Sequence, residues 1–207
     1  MKLVYLTITC LVLLSAKCDR VQQKIMMTDK GLAHEGAVCI DGTDAGFYLT
    51  PPPDGDDANK NNWVIYFEGG GWCYSEDDCH NRSFTDLGSS AKWPANAGAE
   101  GPMSSSCLVN PDFCNYNKVY LKYCDGNSFS SNRQDALVVN GKKLYFRGKQ
   151  IIDAALDTLK RDYNLASAEN FILTGCSAGG LAAFLQADNV HNYLDSNTTK
   201  QVKKTPL

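Results

Sequence analysis

A surplus of positive charge is missing: 20 Lys and Arg stand against 23 Asp and Glu, the net charge is −3, and no dense basic run occurs. Nucleic acid and anionic membrane surfaces are therefore excluded as main partners, because binding phosphates needs a positive field. After the first residues no apolar run approaches the length of about 18 residues that crossing a bilayer requires, so no membrane span is expected in the mature chain. Neither CxxC nor HxxxH spacing appears, which leaves a zinc site without support. No GK[ST] follows any glycine cluster, which argues against a phosphate-binding loop. There is no internal repeat and no low-complexity tract. Histidine is scarce, with only His34, His80 and His191.

What is present suits one domain, or part of a larger one: 207 residues, 43% of them hydrophobic. The N-terminus reads as a signal peptide over residues 1–18, leaving 19–207 as the mature chain. Lys2 gives a positive start, Leu3–Leu14 is apolar but short, and small residues Ser15, Ala16 and Cys18 follow. The protein is thus expected to be secreted, in a compartment where disulfides persist. Of nine cysteines, Cys10 and Cys18 fall in or beside the signal, and Cys176 is expected to be a buried free thiol. Six remain: Cys39, Cys73, Cys79, Cys107, Cys114 and Cys124. They allow 15 pairings. Cys73–Cys79 and Cys107–Cys114 are near enough in sequence to close small loops, which would leave Cys39–Cys124 as a long staple. Asn81 and Asn197 begin glycosylation sequons.

Along the chain, residues 36–50 read as short strands broken by glycine turns, and 51–62 as a polar loop. Trp63–Phe67 (WVIYF) and Val119–Tyr123 (VYLKY) are rich in β formers. Residues 74–116 show no strong periodicity. Over 147–163, Ile151, Ile152, Ala155, Leu156 and Leu159 recur at helical spacing. A short strand at Phe171–Leu173 precedes a helix over 179–194. Strands alternating with helices predict an α/β fold with a largely parallel sheet and helices on both faces.

Two loops carry the chemistry. Gly175-Cys176-Ser177-Ala178-Gly179 fits G-x-S-x-G, the strand-to-helix turn that lifts a nucleophilic serine above a sheet edge. The helix that follows aims its N–H groups at a developing oxyanion. The bland alternative is a glycine-rich helix start with a capping serine. Upstream, Glu68-Gly69-Gly70-Gly71-Trp72 ends a strand, as HGGG-type oxyanion loops do. Gly70, Gly71 and Ala178 are the candidate N–H donors; a plain sharp turn is the alternative for the glycines.

Five blocks, GAVCIDGTDAGFYL, WVIYFEGGGWCY, YLKYCDGNSFS, LYFRGKQIIDAALDTL and LTGCSAGGLAAF, resemble in that order the signatures of the pectin acetylesterase family, which includes the Notum carboxylesterases. The resemblance spans about residues 24–194. It implies a secreted serine carboxylesterase of α/β-hydrolase-like fold with a Ser-Asp-His triad, needing no metal or cofactor. Ser177 matches the nucleophile. Trp72 matches an aromatic beside the acyl pocket. Asp125 lies in the YCDG block, as loop structure first and pocket wall second. The EGGGWC and GCSAGG forms are nearer the pectin acetylesterase branch, which implies release of acetyl groups from O-acetylated pectin-like polysaccharide.

The family order places Asp and then His well after the serine. His191 lies 14 residues on along one helix, roughly 21 Å away at 1.5 Å per residue, where a base must sit within about 3 Å. His191 is therefore expected to be a surface residue, with the triad Asp and His lying downstream of this chain. The chain is then the N-terminal portion of an esterase domain, and alone inactive. The alternatives are a truncated, catalytically dead secreted binding protein and a Notum-like deacylase of lipidated proteins.

Overall fold

The computed structural model describes residues 20, 22–27 and 36–195. The expected signal peptide, His34 and Asn197 lie outside the described residues. Among the described residues seven strands and three α-helices follow in order: β1 Gln23–Met26, β2 Gly46–Thr50, β3 Asn62–Phe67, α1 Glu76–Arg82, β4 Asn117–Leu121, β5 Leu137–Val139, β6 Lys142–Leu144, α2 Gly148–Tyr163, β7 Asn170–Gly175 and α3 Ala178–Asp195.

β-branched and aromatic runs make the strands, and five join in the order β1-β2-β4-β3-β7. β4, β3 and β7 run parallel, with Ile65 beside Val119 on one side and Leu173 on the other. β2 pairs antiparallel with β4, and β1 with β2. The sheet is therefore mixed, its parallel part being the part that alternates with helices. β5 and β6 form a separate hairpin. Asn140 and Gly141 sit at its tip with φ of 51° and 78°, the left-handed pair that a tight two-residue turn demands.

The helical spacing is realised in α2, which buries Ile151, Ile152, Ala155, Leu156 and Leu159 and ends at Asn164 in the left-handed conformation. Ile152, Ala155, Leu156 and Leu159 meet Ile65, Phe67, Val119 and Leu121, and Val190 of α3 joins them on the same sheet face. Each of the Ile, Leu, Val and Phe side chains contributes about 1.5–3 kcal/mol when removed from water.

Helices were expected on both faces; among the described residues both long helices lie on one. The opposite face, carrying Tyr48 and Lys118, is covered by the turns of residues 93–114. The Tyr48 hydroxyl donates to the Pro94 carbonyl at 2.6 Å and Lys118 Nζ to the Cys114 carbonyl at 2.6 Å. That segment lacks the apolar period a helix needs, and it is held by the Cys107–Cys114 disulfide instead.

Among the described residues three disulfides form, Cys39–Cys124, Cys73–Cys79 and Cys107–Cys114. α1 lies in the stretch without periodicity. It is short and polar, capped by Ser75, whose side chain accepts from the Asp78 N–H, with Glu76, Asp77 and Asp78 in its first turn.

Candidate active site

β3 and β7 are parallel neighbours, so the loops leaving their C-terminal ends emerge side by side. β3 leads into the glycine loop and β7 into the serine turn. Backbone meets backbone between them. A Cβ on Gly69 would fall 2.2 Å from the Cys176 carbonyl oxygen and 3.2 Å from Ser177 Cβ, and one on Gly179 would fall 2.0 Å from the Phe67 oxygen. Only hydrogen fits at either position.

Ser177 is exposed, at φ 54°, in the left-handed region where a serine is strained. Its carbonyl accepts the first bond of α3, from the Leu181 N–H at 3.0 Å. Ala178 next to it is fully buried and opens the helix, so its N–H belongs to the first turn, which has no intrahelical acceptor. Cys176 is free, but it is exposed rather than buried as expected. The turn that raises Ser177 above the sheet edge raises its neighbour too.

The glycine loop is gripped from behind. Arg82, in the last turn of α1, donates from Nη2 to the Gly70 carbonyl at 3.0 Å and from Nε to the Leu87 carbonyl at 3.1 Å. The Tyr123 hydroxyl donates to the Gly71 carbonyl at 2.8 Å and accepts from the Ser128 N–H at 2.9 Å. Burial pushes the Tyr123 hydroxyl up to about 12, so it keeps its proton at neutral pH. Glu68 anchors the start of the loop, pairing with Lys122 Nζ at 2.6 Å and accepting the Tyr123 N–H at 2.8 Å.

These contacts orient the peptides. Among the described residues no peptide bond is cis, and in a trans peptide the carbonyl and the following N–H point in opposite directions. With the Gly70 and Gly71 carbonyls held back, the N–H groups of Gly71 and Trp72 point away from Arg82 and Tyr123. Trp72 is 49% exposed, and its indole N–H donates to Ser128 Oγ at 2.7 Å.

Asp125 is fully buried, beneath the wall rather than on it. It accepts the Phe129 N–H at 3.0 Å and the Ser131 hydroxyl at 2.6 Å, and Ser131 Oγ accepts the Gly148 N–H that opens α2. Burial raises its pKa against those hydrogen bonds. Its carboxylate pins the loop that carries Ser128, and through Ser128 the Trp72 ring.

The two described histidines are engaged elsewhere. His80 on α1 meets Phe84 edge-on, and His191 pairs with Asp195 at 3.1 Å within α3. Among the described residues no group of His, Cys, Asp and Glu could hold a metal ion. Asn81 is exposed on α1. Arg82, Tyr123 and Glu68 were not singled out from the sequence. Their roles depend on contacts up to 55 residues apart, and only the position of Glu68 beside the glycines hinted at them.

The pectinacetylesterase family model matches residues 17–206. Pectin acetylesterase 5 of Arabidopsis thaliana is 39% identical over 176 residues, covering 85% of this chain and 39% of that protein. The palmitoleoyl-protein carboxylesterase NOTUM of Schmidtea mediterranea is 32% identical over 166 residues, covering 79% of this chain and 30% of that protein. The Wnt deacylase Notum from Drosophila superposes with a TM-score of 0.76 at 26% identity, covering 89% of this chain and 51% of that one. The α/β-hydrolase-like fold is thereby shared. The chain spans well under half the length of these curated relatives. On the match over nearly its whole length, the chain belongs to the pectinacetylesterase family.

Proposed function

We propose that Ser177 is the nucleophile of a carboxylic ester hydrolase that releases acetyl groups from O-acetylated polysaccharide. The observation that carries this is the backbone contact between the glycine loop and the Ser177 turn, which brings the two loops together beside one exposed hydroxyl. Ser177 attacks the ester carbonyl as its proton passes to a histidine held by an aspartate. Both partners come from the part of the fold that the relatives possess and this chain does not span. The oxyanion is met by N–H groups of the glycine loop and of Ala178. Of the loop donors, peptide orientation favours Gly71 and adds Trp72, with no like argument for Gly70. Trp72 forms a wall for the acyl group. Water then releases the acid, with no metal or cofactor. Identity to pectin acetylesterases favours acetate. Three disulfides and an apolar N-terminus favour secretion. The likeness to Notum favours a second reading, deacylation of an acylated protein.

The test is hydrolysis of p-nitrophenyl esters of increasing chain length by the complete gene product, followed by acetate release from acetylated pectin. Ser177→Ala is expected to lower kcat about 10⁴-fold or more. Activity that survives this change removes Ser177 from the mechanism. A preference for long acyl chains transfers the substrate assignment to the second reading.

A further inference from the structure

The glycine loop ends β3, but what holds its peptides comes from elsewhere in the chain. Gly70 and Gly71 have φ of 145° and 69°, a region glycine enters freely and leaves as freely. Nothing in their own chemistry keeps two successive carbonyls turned back. Arg82 and Tyr123 do so, one from α1 and one from the end of β4. They also brace each other, since the Arg82 guanidinium lies 5.1 Å from the Tyr123 ring centroid. Arg82 is placed by the Cys73–Cys79 disulfide, which ties α1 to the residue after Trp72. Gly126 closes the assembly: its carbonyl accepts the Cys73 N–H at 3.1 Å, and a Cβ there would fall 2.7 Å from Cys73 Sγ.

We propose that Arg82 is a positioning residue of the oxyanion hole, acting with Tyr123: by holding the Gly70 and Gly71 carbonyls they aim the Gly71 and Trp72 N–H groups at the oxyanion. Arg82 suits the task because its fork reaches two carbonyls at once, Gly70 and Leu87, where a lysine offers one point charge. Neither side chain needs to touch substrate. The inference rests on the esterase reading of Ser177.

The experiment uses the complete gene product and p-nitrophenyl acetate, with Arg82→Ala, Arg82→Lys, Tyr123→Phe and Ser177→Ala. One missing oxyanion donor costs about 10²–10³-fold in kcat, so a misaimed one is expected to cost about 10–100-fold in Arg82→Ala, with KM within about twofold. Affinity for a boronic acid that forms a tetrahedral adduct should fall in step with kcat. Arg82→Lys should recover part of the loss, and added guanidinium ion part of the loss in Arg82→Ala. Tyr123→Phe, which keeps the ring, should lower kcat in the same manner. Unchanged kcat in Arg82→Ala, or a loss appearing only in KM or thermal stability, overturns the positioning role while Ser177 stands. Hydrolysis that persists in Ser177→Ala overturns both.

Discussion

β3 and β7 are adjacent parallel strands that each end in a functional loop, yet their surroundings differ. β3 is buried along almost its whole length and hands its loop to Arg82, Tyr123 and Glu68. β7 is half-exposed, is the last strand in the sheet order, and leads to α3, where Phe184 is 82% exposed and Leu181 and Leu185 are exposed as well. The donor side of the site is thus braced within this chain by disulfides and long-range hydrogen bonds. The Ser177 side, proposed to supply the nucleophile, depends on local backbone: a left-handed serine, a helix start and glycines that admit the neighbouring loop. A hole must be rigid to stabilise charge, whereas a serine needs only to be presented and then activated by partners from other segments.

The comparison can be broken most forcefully at the Cys39–Cys124 staple, which closes a separation of 85 residues and backs Tyr123 and Asp125. Replacing both cysteines by serine is expected to cost about 4–5 kcal/mol, against about 2 kcal/mol for the short Cys73–Cys79 loop. Denaturant unfolding of the two double variants measures both, and equal losses would contradict the dependence on loop length. Next comes Gly69→Ala, which drives a methyl group into the Cys176 carbonyl. It should cost about 1–3 kcal/mol by overpacking and remove most esterase activity, because the two loops can no longer touch. Asp125→Ala should cost about 1–3 kcal/mol by leaving the Phe129 N–H and the Ser131 hydroxyl unpaired. Fluorescence of Trp72, the ring those bonds hold in place, would shift if the loop loosens.

A pH measurement sharpens the same contrast. Lys118, fully buried beside β3, has its pKa lowered to about 7, first by burial and then by Arg20. An unfolded lysine titrates near pH 10.4, at about the ordinary value. Between pH 7 and about 10 the unfolded chain therefore binds the proton that the fold rejects, and this residue makes stability rise with pH across that window. Lys118→Met should flatten the rise, as thermal midpoints at pH 7 and 9.5 would reveal. The smallest effect is expected on the α3 surface, where Phe184→Ser should change stability by less than about 0.5 kcal/mol. A larger loss would mean that the α3 face is covered.

Much of this was legible in the sequence. The apolar run WVIYF and the spacing of Ile151, Ile152, Ala155, Leu156 and Leu159 located β3 and α2 to within a residue or two, because periodicity reports burial directly. The serine turn and glycine loop were readable because strained or crowded backbone demands glycine at set offsets. α1 escaped because it is short and polar, although Ser75 and the acidic residues after it were signals of a helix start. The β5–β6 hairpin escaped as well, with Asn140-Gly141 marking its turn. Cys176 was misplaced because exposure at a raised turn is a tertiary property.

By itself, the sequence determined the parallel strands β3, β4 and β7, the two long helices, the glycine loop and serine turn, and, through the resemblance of its ordered motif blocks, the family to which the chain belongs, since these are written in local pattern. Only the tertiary structure decided that both long helices share one face, that the buried Asp125 pins the loop carrying Ser128, and that Arg82 and Tyr123 hold the glycine carbonyls. The physical reason is that a backbone carbonyl is alike at every residue, so which side chain reaches it depends on how distant segments pack and leaves no mark in the local pattern.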